Sequence, residues 1–174
     1  MKAMDLALAA VIASTYALLV YLLPFISFLV FQVRVADALL PLSILLGWPA
    51  VVGVTLGCAV ANLMAPWGIP FLVAVDACLG SMANFVASYV AMRIGNISKL
   101  ESPVRFQLAC IIANLIVTFI VGSYVPLLVN WAFGEIIPIW IGWSGVFLGE
   151  LVAINILGYS LVLALQRLKI KHRR

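Results

Sequence analysis

Residues 106–128 read FQLACIIANLIVTFIVGSYVPLL, 23 residues without one charged side chain. A helix rises about 1.5 Å per residue, so this stretch is long enough to cross the roughly 30 Å hydrocarbon core of a bilayer. The remainder of the chain has the same character. Of 174 residues, 66% are hydrophobic and 9% are charged, against about 45–50% and about 25% in soluble domains. There is too little polar side chain to coat a globule in water, and a chain this apolar does not stay disordered. The expectation is an all-α integral membrane protein, a six-helix bundle forming a single transmembrane domain over residues 1–174.

Working outward from that stretch, five more apolar segments follow from their breakers. The spans are expected at 4–23, 36–46, 50–64, 70–92, 106–128 and 144–166. Pro24 closes the first, Gly47-Trp48-Pro49 separates the second from the third, and Ala65-Pro66-Trp67-Gly68 separates the third from the fourth. The second and third are short, either thin spans or a re-entrant hairpin. Residues 93–105 form the only clearly polar loop, with Ser102-Pro103 as a helix start. Residues 130–143 read as an aromatic loop, and 167–174 as a basic tail. Asn96-Ile97-Ser98 matches a glycosylation sequon but sits in the basic loop, where it reads as chance.

The basic residues set the orientation. Lys2, Arg93, Lys99, Arg105 and the five Lys/Arg of 167–174 share one side, and Arg34 alone lies on the other. By the positive-inside rule the nine-residue side is cytoplasmic, with both termini in the cytoplasm of a multi-pass cell-membrane protein. A charge of +4 distributed in this way is an orientation signal, not a nucleic-acid surface.

The remaining polar groups gather in the opposite half. Arg34 and Asp37 begin the second segment, Asp76 lies a turn or two into the fourth, and Glu150 about two turns into the sixth. Asn62 ends the third, and Gln32 precedes Arg34. Ionisable groups cost about 2.5–3.5 kcal/mol each at the bilayer centre on insertion scales, and they usually line a site. Bland readings stand beside this one. Arg34 and Asp37 are three apart and can pair on a helix face, Asp76 can cap or pair, and Glu135 is a solvated loop carboxylate. Glu150, after Gly145-x-x-x-Gly149, is hardest to explain as inert. Trp67, Trp131, Trp140 and Trp143 are first of all interface-belt residues.

Small residues make a second pattern. Ala9, Ala13 and Ala17 recur every four positions on the first span, a smooth face suited either to internal packing or to docking on a separate membrane subunit. Gly53-x-x-x-Gly57 reads as internal packing. Cys58, Cys78 and Cys110 read as small core residues. The one histidine, His172, leaves no His metal site or triad, and there is no Walker A, Gly-x-Ser-x-Gly or His-Glu-x-x-His sequence. No cofactor or metal is expected, and ATP hydrolysis would have to come from partners.

Four stretches carry a family resemblance: residues 31–42 (FQVRVADALLPL), residues 56–63 (LGCAVANL), Asp76-x-x-x-Gly80-Ser81, and Gly149-Glu150. In this order, over nearly the whole chain, they resemble the QueT family, substrate-binding S components of energy-coupling factor (ECF) transporters associated with queuosine precursors. The resemblance implies a six-helix membrane protein that binds its ligand near the outer face. It also implies work alongside a transmembrane T component and two cytoplasmic ATPases, with the alanine face of the first span similar to the surface that docks on the T component. At Asp37 the family usually shows glutamate.

The residues suit such a ligand. A deazaguanine presents a ring N–H and an exocyclic amine, an edge that a buried carboxylate accepts in a bidentate, charge-assisted pair. Glu150, Asp76 and Asp37 are the candidate acceptors, Arg34 a donor to the ring carbonyl, and Asn62 and Gln32 further polar contacts. The expected function is import of a queuosine precursor, and the chain itself is not expected to be an enzyme. An S component for another vitamin-like solute is the alternative. An intramembrane enzyme using Asp76 and Glu150 as an acid–base pair is the rival from another class, and it lacks a nucleophile motif.

Overall fold

A computed structural model describes residues 2–28, 31–97 and 101–171, with the backbone alone for 169–171. Ser98 of the sequon, Lys99, His172 and the last two arginines lie outside the described residues. All regular structure among those described is helical. α1 is Ala3–Leu22 and α2 the short turn Pro24–Ser27; a 3-10 segment then covers Val35–Leu42 and runs into α3, Ser43–Leu46. α4 is Trp48–Asn62, α5 Pro70–Gly95 and α6 Ser102–Phe133. α7, Ile139–Glu150, continues through π-helical turns at Leu151–Gly158 into α8, Tyr159–Lys171.

Four helices are long and apolar enough to cross a membrane: Ala3–Leu22, Pro70–Gly95, Ser102–Phe133 and the continuous Ile139–Leu168. Val35–Leu46 and Trp48–Asn62 are apolar but shorter. The chain is thus a multi-pass membrane protein. One end of the bundle carries Trp67, Trp131 and Trp140, and the other carries Arg93, Arg105 and Arg167; they are called here the tryptophan end and the basic end.

Two expected boundaries move. The fifth span does not stop near 128, because α6 runs through Pro126 to Phe133. A proline in a helix frees the carbonyl four residues earlier, here that of Gly122. A Cβ at Gly142 would overlap the Gly122 carbonyl oxygen and meet the Pro126 ring. The bare Cα of Gly142 therefore packs on the freed carbonyl, and neighbouring-helix support of this kind is what lets transmembrane helices keep their prolines. Gly134, at φ +75°, then ends α6 with its N–H on the Asn130 carbonyl at 2.9 Å. The expected loop at 130–143 shrinks to residues 134–138, and the last span starts at Ile139 instead of 144.

The second segment is short because it is not an α-helix. Eight of its residues are 3-10, which rises about 2.0 Å per residue. With α3, Val35–Leu46 covers on the order of 22 Å, a length matched by the fifteen residues of α4. Ala36, Asp37, Ala38, Leu40, Pro41 and Leu42 are all buried. This strap touches α1, α4, α5, α6, α8 and the π turns. Irregular backbone at membrane depth is tolerated where protein encloses it, and here the rest of the bundle does so.

Glycines bring the walls close. Gly53 packs on Ala9 and Ile12, and Gly57 on Ala13 and Tyr16, so α1 and α4 run side by side in the same direction. Gly149 lies against the Gln32 carbonyl, and Gly158 against Ala38 and Pro41. The last helix thereby holds the chain just ahead of the strap and again at the middle of the strap.

Candidate functional site

Three carboxyls, one guanidinium and their partners form a continuous buried cluster toward the tryptophan end. Asp76 is its most fully bonded member. Tyr124 Oη donates to Asp76 Oδ1 at 2.7 Å, and Trp67 Nε1 to Oδ2 at 2.8 Å. Asn62 Nδ2 reaches the Asp76 carbonyl at 3.0 Å and Oδ1 at 3.4 Å. Asn62 can lie across α5 because Gly80 offers no Cβ there; one would overlap Asn62 Nδ2 and sit 3.1 Å from Tyr124 Oη. Trp67, 4% exposed, is thus a buried hydrogen-bond donor, not an interface-belt residue. Trp131 and Trp140 stand on the surface, and Trp143 is 38% exposed.

Asp37 is bonded on one side. Tyr16 Oη donates to its Oδ1 at 2.5 Å, and Asn84 Nδ2 to the same oxygen at 3.0 Å and to Tyr16 Oη at 2.9 Å. A buried polar file continues below: Ser88 Oγ donates to the Asn84 carbonyl at 2.6 Å, and Ser43 Oγ to the Ser88 carbonyl at 2.7 Å.

Arg34, 4% exposed, does not bond to Asp37, the partner its spacing offered. Its donors reach the Ser27 carbonyl at 3.3 Å and the Cys58 sulfur at 3.7 Å, its guanidinium lies 5.4 Å from the Phe28 ring centre, and Nε has no partner. The reason is local: Arg34 (φ −85°, ψ 86°) sits in a tight turn closed by the Val35 N–H on the Val33 carbonyl and the strap begins only after it, so the two side chains do not share a helix face.

Glu150 is 1% exposed, and neither of its oxygens has a hydrogen-bond partner. The contact of Gly149 with Gln32 sets it beside the start of the strap. Asp37 and Arg34 are the charged groups close by. The site therefore gathers Arg34, Asp37, Asn62, Asp76 and Glu150. Gln32 is buried at its edge, where its backbone meets Gly149. Glu135 stands exposed in the 134–138 loop. Over the cluster, Pro24, Phe25, Phe28, Met64 and Pro66 line an apolar cavity of about 260 Å³, and Phe28 belongs to both.

Tyr16, Asn84, Tyr124 and the inward turn of Trp67 were not legible as site features. One signal was present: Asp76, Gly80, Asn84 and Ser88 recur every four residues on α5, a small and polar stripe on one face of an apolar helix. A second polar contact links α6 to the π turns, where Asn114 Nδ2 donates to Asn155 Oδ1 at 2.8 Å and Thr118 Oγ1 to Asn114 Oδ1 at 3.0 Å. On α1, Ala9 is buried and Ala13 meets Gly57, so both face α4; Ala3, Ala7, Ala10 and Ser14 are exposed.

The described residues thus form a multi-pass helical bundle that encloses a polar cluster with unmet donors and acceptors. No curated protein and no solved structure matches the chain. The family model of the QueT transporter matches residues 6–167. The chain belongs to the QueT transporter family, and so is a membrane transport protein for a small molecule.

Proposed function

We propose that this protein is the S component of an ECF-type importer, a single transmembrane domain that binds a deazaguanine-type queuosine precursor from outside. One observation carries the reading. Of the six buried side-chain atoms left without a partner among the described residues, four are in this cluster: Arg34 Nε, Asn62 Oδ1 and both Glu150 oxygens. One donor and three acceptors of the cluster are left unmet, and buried polar groups are seldom left so without a ligand or water to meet them. Glu150 is the main acceptor for the N–H edge of the base, and Arg34 the donor to its carbonyl. The apolar cavity under Phe25 and Phe28 offers aromatic faces above the ring. Asp76 is a poor half of an acid–base pair, since both its oxygens are already engaged, which disfavours an intramembrane enzyme.

The nine-to-one distribution of Lys and Arg supports six membrane segments with both termini cytoplasmic and the cluster toward the outside. Thermal-shift screening of the purified protein against deazaguanines, thiamin, riboflavin and biotin tests the function. A ligand at a hundredfold excess over its Kd stabilises by about 2.7 kcal/mol. A deazaguanine is expected to raise the melting temperature; a response to one of the vitamins alone would redirect the reading to that solute.

Import needs a T component and two ATPases. The alanine face of α1 is the expected contact, and with Ala9 and Ala13 turned to α4 the smooth outward strip is Ala3, Ala7, Ala10 and Ser14. Ala10→Trp is expected to abolish co-purification with the partner subunits and leave solute binding intact. Intact assembly would remove α1 from the interface.

A further inference from the structure

Two glycines of the last helix meet the same stretch of chain, although their spacing in an α-helix would set them apart. A Cβ at Gly149 would overlap the Gln32 carbonyl, and one at Gly158 would sit 2.9 Å from the Pro41 ring and 3.0 Å from the Ala38 carbonyl. The two glycines stand nine positions apart. At 3.6 residues per turn, nine positions make about two and a half turns, which puts them on opposite faces of an α-helix. The π turns at Leu151–Gly158 take out the half turn. Their N–H groups reach five residues back, as that of Tyr159 does to the Ile154 carbonyl, so each turn holds more residues.

π turns are rare and occur mostly as single-turn bulges, so eight residues of them need a hold. Asn155 is the one residue of 151–158 with a polar side chain. It is buried, and its Oδ1 accepts from Asn114 Nδ2 of α6 at 2.8 Å. Asn114 is buried as well, and its own Oδ1 accepts from Thr118 Oγ1 at 3.0 Å, which braces the amide from the next turn of α6. Hydrogen bonds of this kind fasten one helix to another in an apolar medium. If these turns relaxed to an α-helix with Gly158 kept on the strap, Gly149 and the adjoining Glu150 would be carried about half a turn from where they stand.

We propose that Asn155 and Asn114 are positioning residues of the solute site: by tying the π turns to α6 they keep Glu150 beside the start of the strap. The inference rests on the reading of Glu150 as the main acceptor for the solute, and adds a condition to it. A carboxyl at position 150 is not sufficient, because the register of the turns that follow it decides where it points. Asn155 and Asn114 act through Glu150 and need no contact with the solute.

The test is a double-mutant cycle read by calorimetry on the whole protein in detergent, with an aminomethyl-deazaguanine as the probe. Its members are the parent, Asn155→Leu, Glu150→Gln and the two together. Leucine keeps the bulk at 155 and removes the oxygen that Asn114 holds. Asn155→Leu is expected to weaken binding roughly threefold to thirtyfold where Glu150 is present, the range of coupling between groups of one network. It should change affinity little where position 150 is already glutamine, since the acceptor it aims is gone. A merely structural amide would lower affinity by the same factor in both backgrounds. That result overturns the inference, as does unchanged affinity in Asn155→Leu, and either leaves the deazaguanine reading standing. Thr118→Val removes only the brace behind Asn114 and should show the same dependence on Glu150 by a smaller factor; if Asn155→Leu does not fold, this comparison decides. Failure of the base to bind the parent overturns both the inference and the reading it rests on.

Discussion

Asp76 and Glu150 are the same kind of group in opposite conditions. Each is a carboxyl buried within an apolar helix of one membrane protein. Asp76 is met by an indole, a phenol and a carboxamide from three other parts of the chain. Glu150 is met by none. Fixing a buried carboxylate from several elements at once makes it a joint, and its removal leaves those donors unpaired. Leaving one without partners lowers stability in the empty protein and provides interaction energy for a ligand. Burial and charge, the features a sequence displays, do not separate the two conditions; the inventory of partners does.

The difference can be broken at either member. Asp76→Asn should have the largest effect on the protein itself. It turns one acceptor oxygen into a donor facing Trp67 or Tyr124, and a charged hydrogen bond is worth about 1.5–3 kcal/mol. The expected outcome is a clear fall in melting temperature of the solute-free protein. An unchanged melt would mean that Asp76 is not the joint described.

Glu150→Gln should do the reverse. The solute-free protein should melt no lower than the parent, since the substitution removes an unpartnered buried carboxyl. Affinity for the preferred base should fall roughly tenfold or more, read by calorimetry. A variant that binds as well as the parent would move the site elsewhere. The smallest effect belongs to Glu135, which is exposed. Glu135→Cys, in a chain whose exposed Cys78 is replaced by serine, should bind solute as the parent does. A membrane-impermeant thiol reagent applied from outside should label it. Labelling only from the cytoplasmic side would invert the orientation and place the cluster on the wrong side for uptake.

Much of this architecture was readable from hydropathy and punctuation. The membrane class, the approximate places of the long helices and the gathering of Arg34, Asp37, Asn62, Asp76 and Glu150 follow from polar residues interrupting apolar runs. What escaped reading depends on neighbours distant in the chain. Pro126 fails to end α6 because Gly142 covers the carbonyl it frees. Arg34 and Asp37 do not pair because the strap is 3-10 and begins only at Val35. Tyr16, Trp67 and Tyr124 are residues that any membrane helix or rim contains, and only the fold directs them at carboxyls. Ala9 and Ala13 formed a smooth face with two possible partners, and the glycines of α4 take it.

The strap also bears on how the molecule is made. Val35–Leu46 leaves the ribosome second, yet Gly158, on which Ala38 and Pro41 pack, and Gly149, which meets Gln32 just ahead of it, come from the last helix. It is too short to cross a bilayer core of roughly 30 Å unaided, and it carries Asp37, with Arg34 just ahead of it, into a medium that penalises both. It cannot rest in lipid as an independent span while the rest of the chain is synthesised. Its final seating waits for α7 and α8, so the polar cluster is assembled at the end of biogenesis. A truncated or stalled chain would carry the charges without the enclosure, and quality control would meet it as an unfinished bundle instead of a weak transporter.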